Sequence, residues 1–152
     1  MNAGLLVFIG IPATGKSSFW RERFSDSHLR LNLDMLKTRH REKLLFNACL
    51  DAKAKCVIDN TNLTRAERAR YIVPACAAGF RIHGYFFESR IDDALQRNAQ
   101  RHAKACVPDL AIKSATKKLE LPEFDEGFDV LNFVRITPEN TFDCSPWREE
   151  AL

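Results

Sequence analysis

Residues 5–18 read Leu-Leu-Val-Phe-Ile-Gly-Ile-Pro-Ala-Thr-Gly-Lys-Ser-Ser, an apolar run followed by a glycine-rich loop. The eight residues from Gly10 to Ser17 match the pattern G-x-x-x-x-G-K-[ST]. In this pattern a strand leads into a loop whose backbone N–H groups wrap a polyphosphate, and the helix that follows points its positive end at the same anion. The stretch therefore predicts a nucleoside triphosphate site. A glycine turn that carries a surface lysine is the simpler alternative.

The residues of this loop have separate physical tasks. Gly10 and Gly15 allow backbone angles and a close approach that a Cβ would block. Lys16 places a compact positive charge between the β- and γ-phosphates, and the Ser17 hydroxyl is predicted to ligate Mg²⁺. The predicted nucleotide contacts on the loop are Gly10, Ile11, Pro12, Ala13, Thr14, Gly15, Lys16, Ser17 and Ser18.

The composition is ordinary for a soluble globular protein. The chain has 152 residues, 45% hydrophobic and 28% charged, and this length makes one domain over residues 1–152 the default. A net charge of +3 is a mild bias toward anionic partners. The five cysteines form no C-x-x-C pair, which indicates reduced thiols in a cytoplasm. We expect neither a signal peptide nor a membrane segment, because the first apolar run is short and lacks a basic region before it.

Apolar runs alternate with helical patterns along the whole chain. The predicted strands are 5–9, 29–33, 56–58, 81–87 and 130–136, and the predicted helices are 17–24, 35–53, 65–78, 91–103 and 108–119. This alternation predicts a three-layer α/β fold, in which a five-stranded parallel sheet has helices on both faces and a small lid. Residues 137–152 are predicted to be a loosely packed surface extension.

The second predicted strand ends at a candidate base. Ligands of open α/β sheets bind beyond the carboxyl ends of the strands, so Asp34 would face the γ-phosphate and accept the proton of an attacking hydroxyl. A helix N-cap is the other interpretation of this aspartate. Lys37 follows three residues later on the same predicted helix face and is assigned to an acceptor-side anion site. The other basic residues of this segment, Arg39, His40, Arg41 and Lys43, are interpreted as solvated surface.

A polar turn follows the third predicted strand. Asp59 at its start is predicted to hold a Mg²⁺-bound water or to position the substrate, and Asn62 is predicted to contact the substrate. An Asx-rich turn with no further role is the alternative.

Two arginines mark a candidate lid. Arg97 and Arg101 are four residues apart on a predicted helix and should share a face, and residues 103–108 are predicted to be a flexible turn. This arrangement suits a lid whose arginines neutralise a transferring phosphate. An exposed basic face is the alternative.

Together these segments resemble the kinase domain of phage and animal polynucleotide 5′-hydroxyl kinases, within the phosphate-loop kinases of the adenylate-kinase type. The matching stretches are 10–19, 32–34, 58–62, 65–71, 97–101 and 126–128, and the similarity spans about residues 4–136. The resemblance implies that Asp34 is the general base and that Arg101 is the lid arginine on the nucleotide phosphates. It also implies that Lys37 replaces an arginine that grips the acceptor's 3′-phosphate, and that Asp59 belongs to the same cleft.

The activity implied by the resemblance is ATP- and Mg²⁺-dependent transfer of the γ-phosphate to a hydroxyl, above all the 5′-hydroxyl of DNA or RNA. Two departures concern the acceptor: a lysine at position 37 lacks a bidentate fork, and Leu33 stands where the family often has arginine. A small-molecule kinase of the same fold, acting on a sugar acid, nucleoside, antibiotic or nucleotide sugar, is the nearest alternative. A nucleotide-dependent switch or binding module without transfer is a third. The sequence leaves the oligomeric state open.

Overall fold

A six-stranded sheet with helices on both faces is the frame of the protein in the computed structural model, which describes residues 4–102 and 105–148. The strands are β1 (Leu5–Ile9), β2 (Leu29–Leu31), β3 (Cys56–Ile58), β4 (Ile82–Phe87), β5 (Val130–Ile136) and β6 (Phe142–Pro146). The helices are α1 (Lys16–Arg23), α2 (Leu33–Leu36), α3 (Arg39–Ala52), α4 (Arg65–Ala77), α5 (Ile91–Ala99) and α6 (Asp109–Lys118), with a 3-10 helix at Phe124–Glu126. The α/β prediction is confirmed.

The strand order is β2-β3-β1-β4-β5-β6, and the first five of these strands are parallel. Strand β1 lies between β3 and β4, with Leu5 opposite both Cys56 and Ile82. Strands β2 and β3 therefore lie on one side of β1, and strands β4, β5 and β6 lie on the other. A crevice forms at such a switch point, beyond the carboxyl ends of the strands.

Strand β1 is buried on both faces, which is why it appears in the sequence as an uninterrupted apolar run. Leu5, Val7 and Ile9 belong to the core cluster that includes residues of α3 and α4. Leu6 and Phe8 belong to a second cluster, which includes residues of α1. Packing from both sides fixes this strand and therefore the loop at its carboxyl end.

The prediction of five strands is wrong by one, because residues in the expected loose tail form β6. This strand pairs antiparallel with β5, and the Phe142 ring lies 5.1 Å from that of Phe19. Just after the strand, the Trp147 ring lies 4.9 Å from that of Phe86. The strand is short and mostly exposed, with Asp143 and a terminal proline, so it lacks the alternating pattern of a half-buried strand.

The predicted helix 35–53 is two helices in the structure. Helix α2 ends at Leu36, and Lys37 has a φ of 78°, which a continuing α-helix does not allow. Thr38 then caps α3 by accepting the N–H of Arg41 at 3.1 Å. Because the chain turns here, Asp34 and Lys37 do not share one continuous helix face.

Within residues 4–102 and 105–148, no helix combines the length and the apolar character that crossing a membrane requires.

Candidate active site

A cleft of about 410 Å³ opens beyond the carboxyl ends of β1, β2 and β3. Its lining comes from the glycine-rich loop, from the residues after β2 and β3, from α3 and α4, and from the segment between α5 and α6. The predicted site residues in this lining are Pro12, Ala13, Thr14, Lys16, Ser17, Asp34, Asp59, Asn62 and Arg101. The predicted site residues in this lining lie on four segments that are distant in sequence, and the fold brings them together in one cleft.

The glycine-rich loop has the backbone conformation that its sequence predicts. Gly15 has a φ of 93°, and a Cβ built on it would lie 2.9 Å from the Phe142 ring. Ala13 also has a positive φ, 66°. The Gly10 N–H donates to the Thr61 carbonyl at 3.0 Å, which ties the start of the loop to the turn after β3. The loop thus curves where the phosphates are predicted to bind.

The Lys16 ammonium lies inside the curve of this loop. It donates to the carbonyl oxygens of Gly10 at 3.0 Å and Ile11 at 2.8 Å. The pKa of Lys16 is lowered to about 8, because the lowering by burial and by the Arg101 charge outweighs the raising by Asp59 and Asp34. The charges of all three residues therefore act on the Lys16 ammonium.

We expect the affinity for ATP to fall about tenfold for each pH unit above the Lys16 pKa of about 8. Above that pH the amine is neutral, and it must take up a proton before it can bind phosphate charge. Calorimetry in buffers of different ionisation enthalpy would measure both the affinity and the proton uptake. Lys16→Met is the control, with weak binding and no such pH dependence. A flat affinity in the wild-type protein from pH 7.5 to 9.5 would contradict this assignment.

Ser17 and Asp59 form the candidate magnesium site. The Ser17 hydroxyl donates to the Asp59 carboxylate at 2.9 Å, and Asp59 is buried, with 2% of its surface exposed. Oxygen ligands of this kind suit Mg²⁺, so the residues present fit the ion. No group of three or more His, Cys, Asp or Glu in the described ranges could hold a metal. Ser17 and Asp59 are the residues that would hold Mg²⁺ here.

Asp34 lies in the first turn of α2, exposed on the cleft wall. The cap of this helix is Asn32, whose side chain accepts the N–H of Met35 at 3.0 Å. The alternative interpretation of Asp34 as the N-cap is therefore wrong. Its carboxylate lines the cleft close enough to Lys16 to raise the lysine pKa.

Lys37, the predicted acceptor-side cation, is not part of the cleft lining that the structure describes. Lys37 is exposed, and the described cleft lining does not include it; Arg39, two residues later, lines the cleft instead. The prediction for Lys37 assumed an unbroken helix, whereas the turn at that residue redirects the chain. Arg39 is exposed, as its interpretation as solvated surface predicts, but its guanidinium also donates to Glu42 at 3.1 Å and to the Tyr71 hydroxyl at 2.9 Å.

A partly buried polar network supports this side of the cleft. We call this side the α3–α4 wall and define it by Arg39, Asn60 and Tyr71. Glu42, only 3% exposed, accepts the Tyr71 hydroxyl at 2.8 Å and the Asn60 amide at 3.0 Å. Burial and the Glu42 charge raise the pKa of Tyr71 to about 12, so the hydroxyl keeps its proton. Asn60 also accepts the N–H of Leu33 at 2.9 Å. The network fixes the Arg39 guanidinium on the cleft wall.

Asn62 lines the cleft and also has a structural task, and its predicted substrate contact stays a prediction. Its side chain is buried and donates to the carbonyls of Phe8 at 2.7 Å and Ile58 at 3.3 Å, at the ends of β1 and β3. A φ of 46° turns the amide inward. This residue therefore braces the two strand ends that carry the site.

The lid segment presents Arg101 to the cleft. Helix α5 ends at Ala99, so Arg97 remains on the helix while Arg101 lies beyond it, and the predicted shared helix face is wrong. Arg101 lines the cleft and donates to the Ala105 carbonyl at 3.1 Å; Arg97 is absent from the described lining. Residues 103–104 of the predicted turn lie outside the described residues.

Asn98 is a lid residue whose role the sequence did not reveal. It is 1% exposed, and its amide bonds both backbone groups of Val107, donating at 2.6 Å and accepting at 3.0 Å. These bonds hold together the two ends of the segment that carries Arg101.

A family model described as "AAA domain" matches residues 5–122, more than three quarters of the chain. The chain belongs to this AAA domain family. Family membership implies nucleotide binding, and the glycine-rich loop lies inside the matched region.

Two curated relatives are similar to the chain. The bifunctional polynucleotide phosphatase/kinase of Schizosaccharomyces pombe is 28% identical over 128 residues, which cover 82% of this chain and 31% of the relative. A relative from Acanthamoeba polyphaga mimivirus is also 28% identical, over 97% of this chain and 37% of its own length. The chain therefore spans about a third of the length of the curated relatives it matches.

Solved structures of other proteins share the fold of this chain. A gluconokinase from Sinorhizobium meliloti 1021 has a TM-score of 0.63 at 17% identity, covering 87% of this chain and 82% of that one. Chaetomium thermophilum Kti12, solved in complex with ADP-AlF3, has a TM-score of 0.62 at 15% identity, covering 90% and 92%. At these identities the likeness shows the fold alone.

Proposed function

We propose that this protein is a kinase that transfers the γ-phosphate of ATP to the 5′-hydroxyl of a polynucleotide. The observation that carries the proposal is the meeting of Lys16, Asp34 and Arg101 in one cleft, where the charges of the other two act on the lysine ammonium. A base, a phosphate-binding cation and a lid arginine are the parts that phosphoryl transfer requires.

The donor side uses the loop and the lid. Lys16 would exchange its bonds to the loop carbonyls for bonds to the β- and γ-phosphates, and backbone N–H groups of the loop would bind the remaining oxygens. Ser17 and Asp59 would hold Mg²⁺, which neutralises phosphate charge when bound. Arg101 would place its guanidinium against the transferring phosphoryl group, where negative charge is spread over three oxygens.

The acceptor side uses Asp34 as the base. The hydroxyl oxygen forms a bond to the γ-phosphorus, and the bond between that phosphorus and the β–γ bridging oxygen breaks. The hydroxyl proton passes to the Asp34 carboxylate, and the products are a phosphate monoester and ADP. Because Asp34 is exposed on the cleft wall, an acceptor can reach it without rearrangement of the sheet.

Two observations support a polynucleotide acceptor. The names of the curated relatives describe polynucleotide phosphatase/kinases, and the α3–α4 wall presents a fixed guanidinium. A planar guanidinium matches the geometry of a phosphate, such as the one that follows the first nucleotide of the acceptor. Arg39 would take the place that the resemblance implies for position 37.

One observation favours the alternative acceptor, a small-molecule alcohol. Leu33 lines the cleft where the related kinases often have arginine, and Lys37 is not part of the described lining. The acceptor side therefore has less positive charge than a long anionic strand would use.

Transfer of label from γ-labelled ATP separates the two acceptors. We expect label on single-stranded 5′-hydroxyl oligonucleotides in preference to gluconate, nucleosides and aminoglycosides. Arg39→Gln should raise the oligonucleotide KM roughly tenfold with little change in the ATP KM, because one charge-assisted contact is lost. Arg41→Gln is the matched control, since Arg41 lies on α3 outside the described lining and bonds the Leu36 carbonyl. Preferential labelling of a small alcohol would refute the polynucleotide acceptor.

A further inference from the structure

Arg30 occupies the candidate magnesium site with its own positive charge. Its Nε donates to the Asp59 Oδ2 at 2.7 Å, and its Nη2 donates to the Ser17 Oγ at 2.9 Å. The Ser17 hydroxyl in turn donates to the same Asp59 oxygen at 2.9 Å. The guanidinium thus forms hydrogen bonds with both of the oxygens that fit Mg²⁺.

The surroundings explain why a cation belongs there. The Asp59 side chain is 1% exposed, and a carboxylate at that depth is stable only beside a compensating charge. The Arg30 side chain is 22% exposed and lies over the Trp20 ring, with 5.7 Å from its guanidinium carbon to the ring centroid. Trp20 therefore offers the guanidinium a second favourable contact at the edge of the site.

We propose that Arg30 is an internal counter-ion that competes with Mg²⁺ for Ser17 and Asp59. A guanidinium within 3 Å of both oxygens and a dication on the same oxygens repel each other strongly. The Ser17 oxygen also accepts from Arg30 with a lone pair that a metal would use. Binding of Mg²⁺ with ATP therefore moves the guanidinium away from Asp59 and changes its position relative to the Trp20 ring.

The consequence is that Arg30 sets the Mg²⁺ concentration that nucleotide binding requires. Removing the competing charge leaves Asp59 free for the metal, so less Mg²⁺ suffices to support nucleotide binding. The inference rests on the nucleotide and metal part of the proposed function, and it is independent of the identity of the acceptor.

The first test is the Mg²⁺ concentration that gives half-maximal binding of ATP, measured by calorimetry in the full chain. We expect Arg30→Gln to lower this midpoint roughly tenfold, the size of a typical coupling between two sites. Arg23→Gln is the matched control, because Arg23 also lies over an aromatic ring and its guanidinium bonds a carbonyl outside the site. An unchanged midpoint in Arg30→Gln, or an equal shift in the control, would refute the competition.

The second test follows the guanidinium itself. In a Trp147→Phe background, Trp20 is the single tryptophan of the chain. Addition of Mg²⁺ with ATP should change its emission, and Arg30→Gln should abolish that change. The same change in both proteins would contradict the proposed movement. Should Arg30→Gln fail to fold, Arg30→Met replaces it, because it also removes the competing charge while an unbranched side chain stays beside Trp20; an unchanged midpoint there refutes the proposal equally.

The two proposals fail in different ways. A protein that shows the magnesium shift but labels no oligonucleotide would refute the polynucleotide acceptor alone. A wild-type protein that binds no ATP at any Mg²⁺ concentration would refute both.

Discussion

Replacement of Arg101 by alanine is expected to lower kcat by about 10³- to 10⁵-fold, the range of a lid arginine in phosphoryl transfer. The guanidinium lies in a segment that the Asn98–Val107 bonds hold over the cleft, and its charge already acts on Lys16. Because it would contact the phosphoryl group most closely when negative charge is spread in the transition state, the loss should fall on kcat more than on the ATP KM.

The control for this prediction is Arg90→Ala. Arg90 precedes α5 with its side chain 73% exposed and pairs with Glu88, so its loss removes the same charge without touching the cleft. Steady-state rates with labelled ATP would measure both variants. A decrease in kcat of less than tenfold in Arg101→Ala, or an equal decrease in the control, would show that Arg101 does not take part in phosphoryl transfer.

Replacement of Asp34 by asparagine is expected to lower kcat by about 10²- to 10⁴-fold, the usual contribution of a general base. The amide keeps the shape of the side chain but cannot accept the hydroxyl proton. Helix α2 should be unaffected, because Asn32 caps it. The dissociation constant of ATP, measured by calorimetry, should change little, which separates a lost base from a damaged nucleotide site.

Asp51→Asn serves as the matched control for the base. Asp51 is exposed near the end of α3, outside the described cleft lining. Retention of more than a tenth of the wild-type rate by Asp34→Asn would show that another group takes the proton.

The central part of the fold could be predicted from the sequence because its strands are buried on both faces. The bounds of β1, β3 and β5 match the predicted ranges. The break after α2 could not be predicted, because Lys37 adopts a positive φ that its residue type does not favour. Strand β6 was missed because its stability comes from pairing with β5 and from aromatic contacts, both of which are tertiary.

The candidate site was predictable where it depends on strand ends. A parallel sheet brings its carboxyl ends to one edge, so the glycine-rich loop, Asp34 and Asp59 could be placed in one cleft without coordinates. Arg30 could not be placed in the cleft from the sequence, because it lies within a three-residue strand that carries no motif. Its partners are 13 and 29 residues away in the chain. The α3–α4 wall could not be predicted either, because its hydrogen bonds also join residues that are distant in sequence. The roles assigned to these residues and the single domain over 1–152 stay predictions.

The most direct test of the account is a crystal structure of the protein with Mg²⁺, ADP, fluoroaluminate and a 5′-hydroxyl oligonucleotide. We expect the Lys16 ammonium and the Arg101 guanidinium to lie about 3 Å from the fluoroaluminate, with the Asp34 carboxylate at the same distance from the attacking hydroxyl. An Arg101 directed into solvent, or an Asp34 out of reach of that hydroxyl, would contradict it.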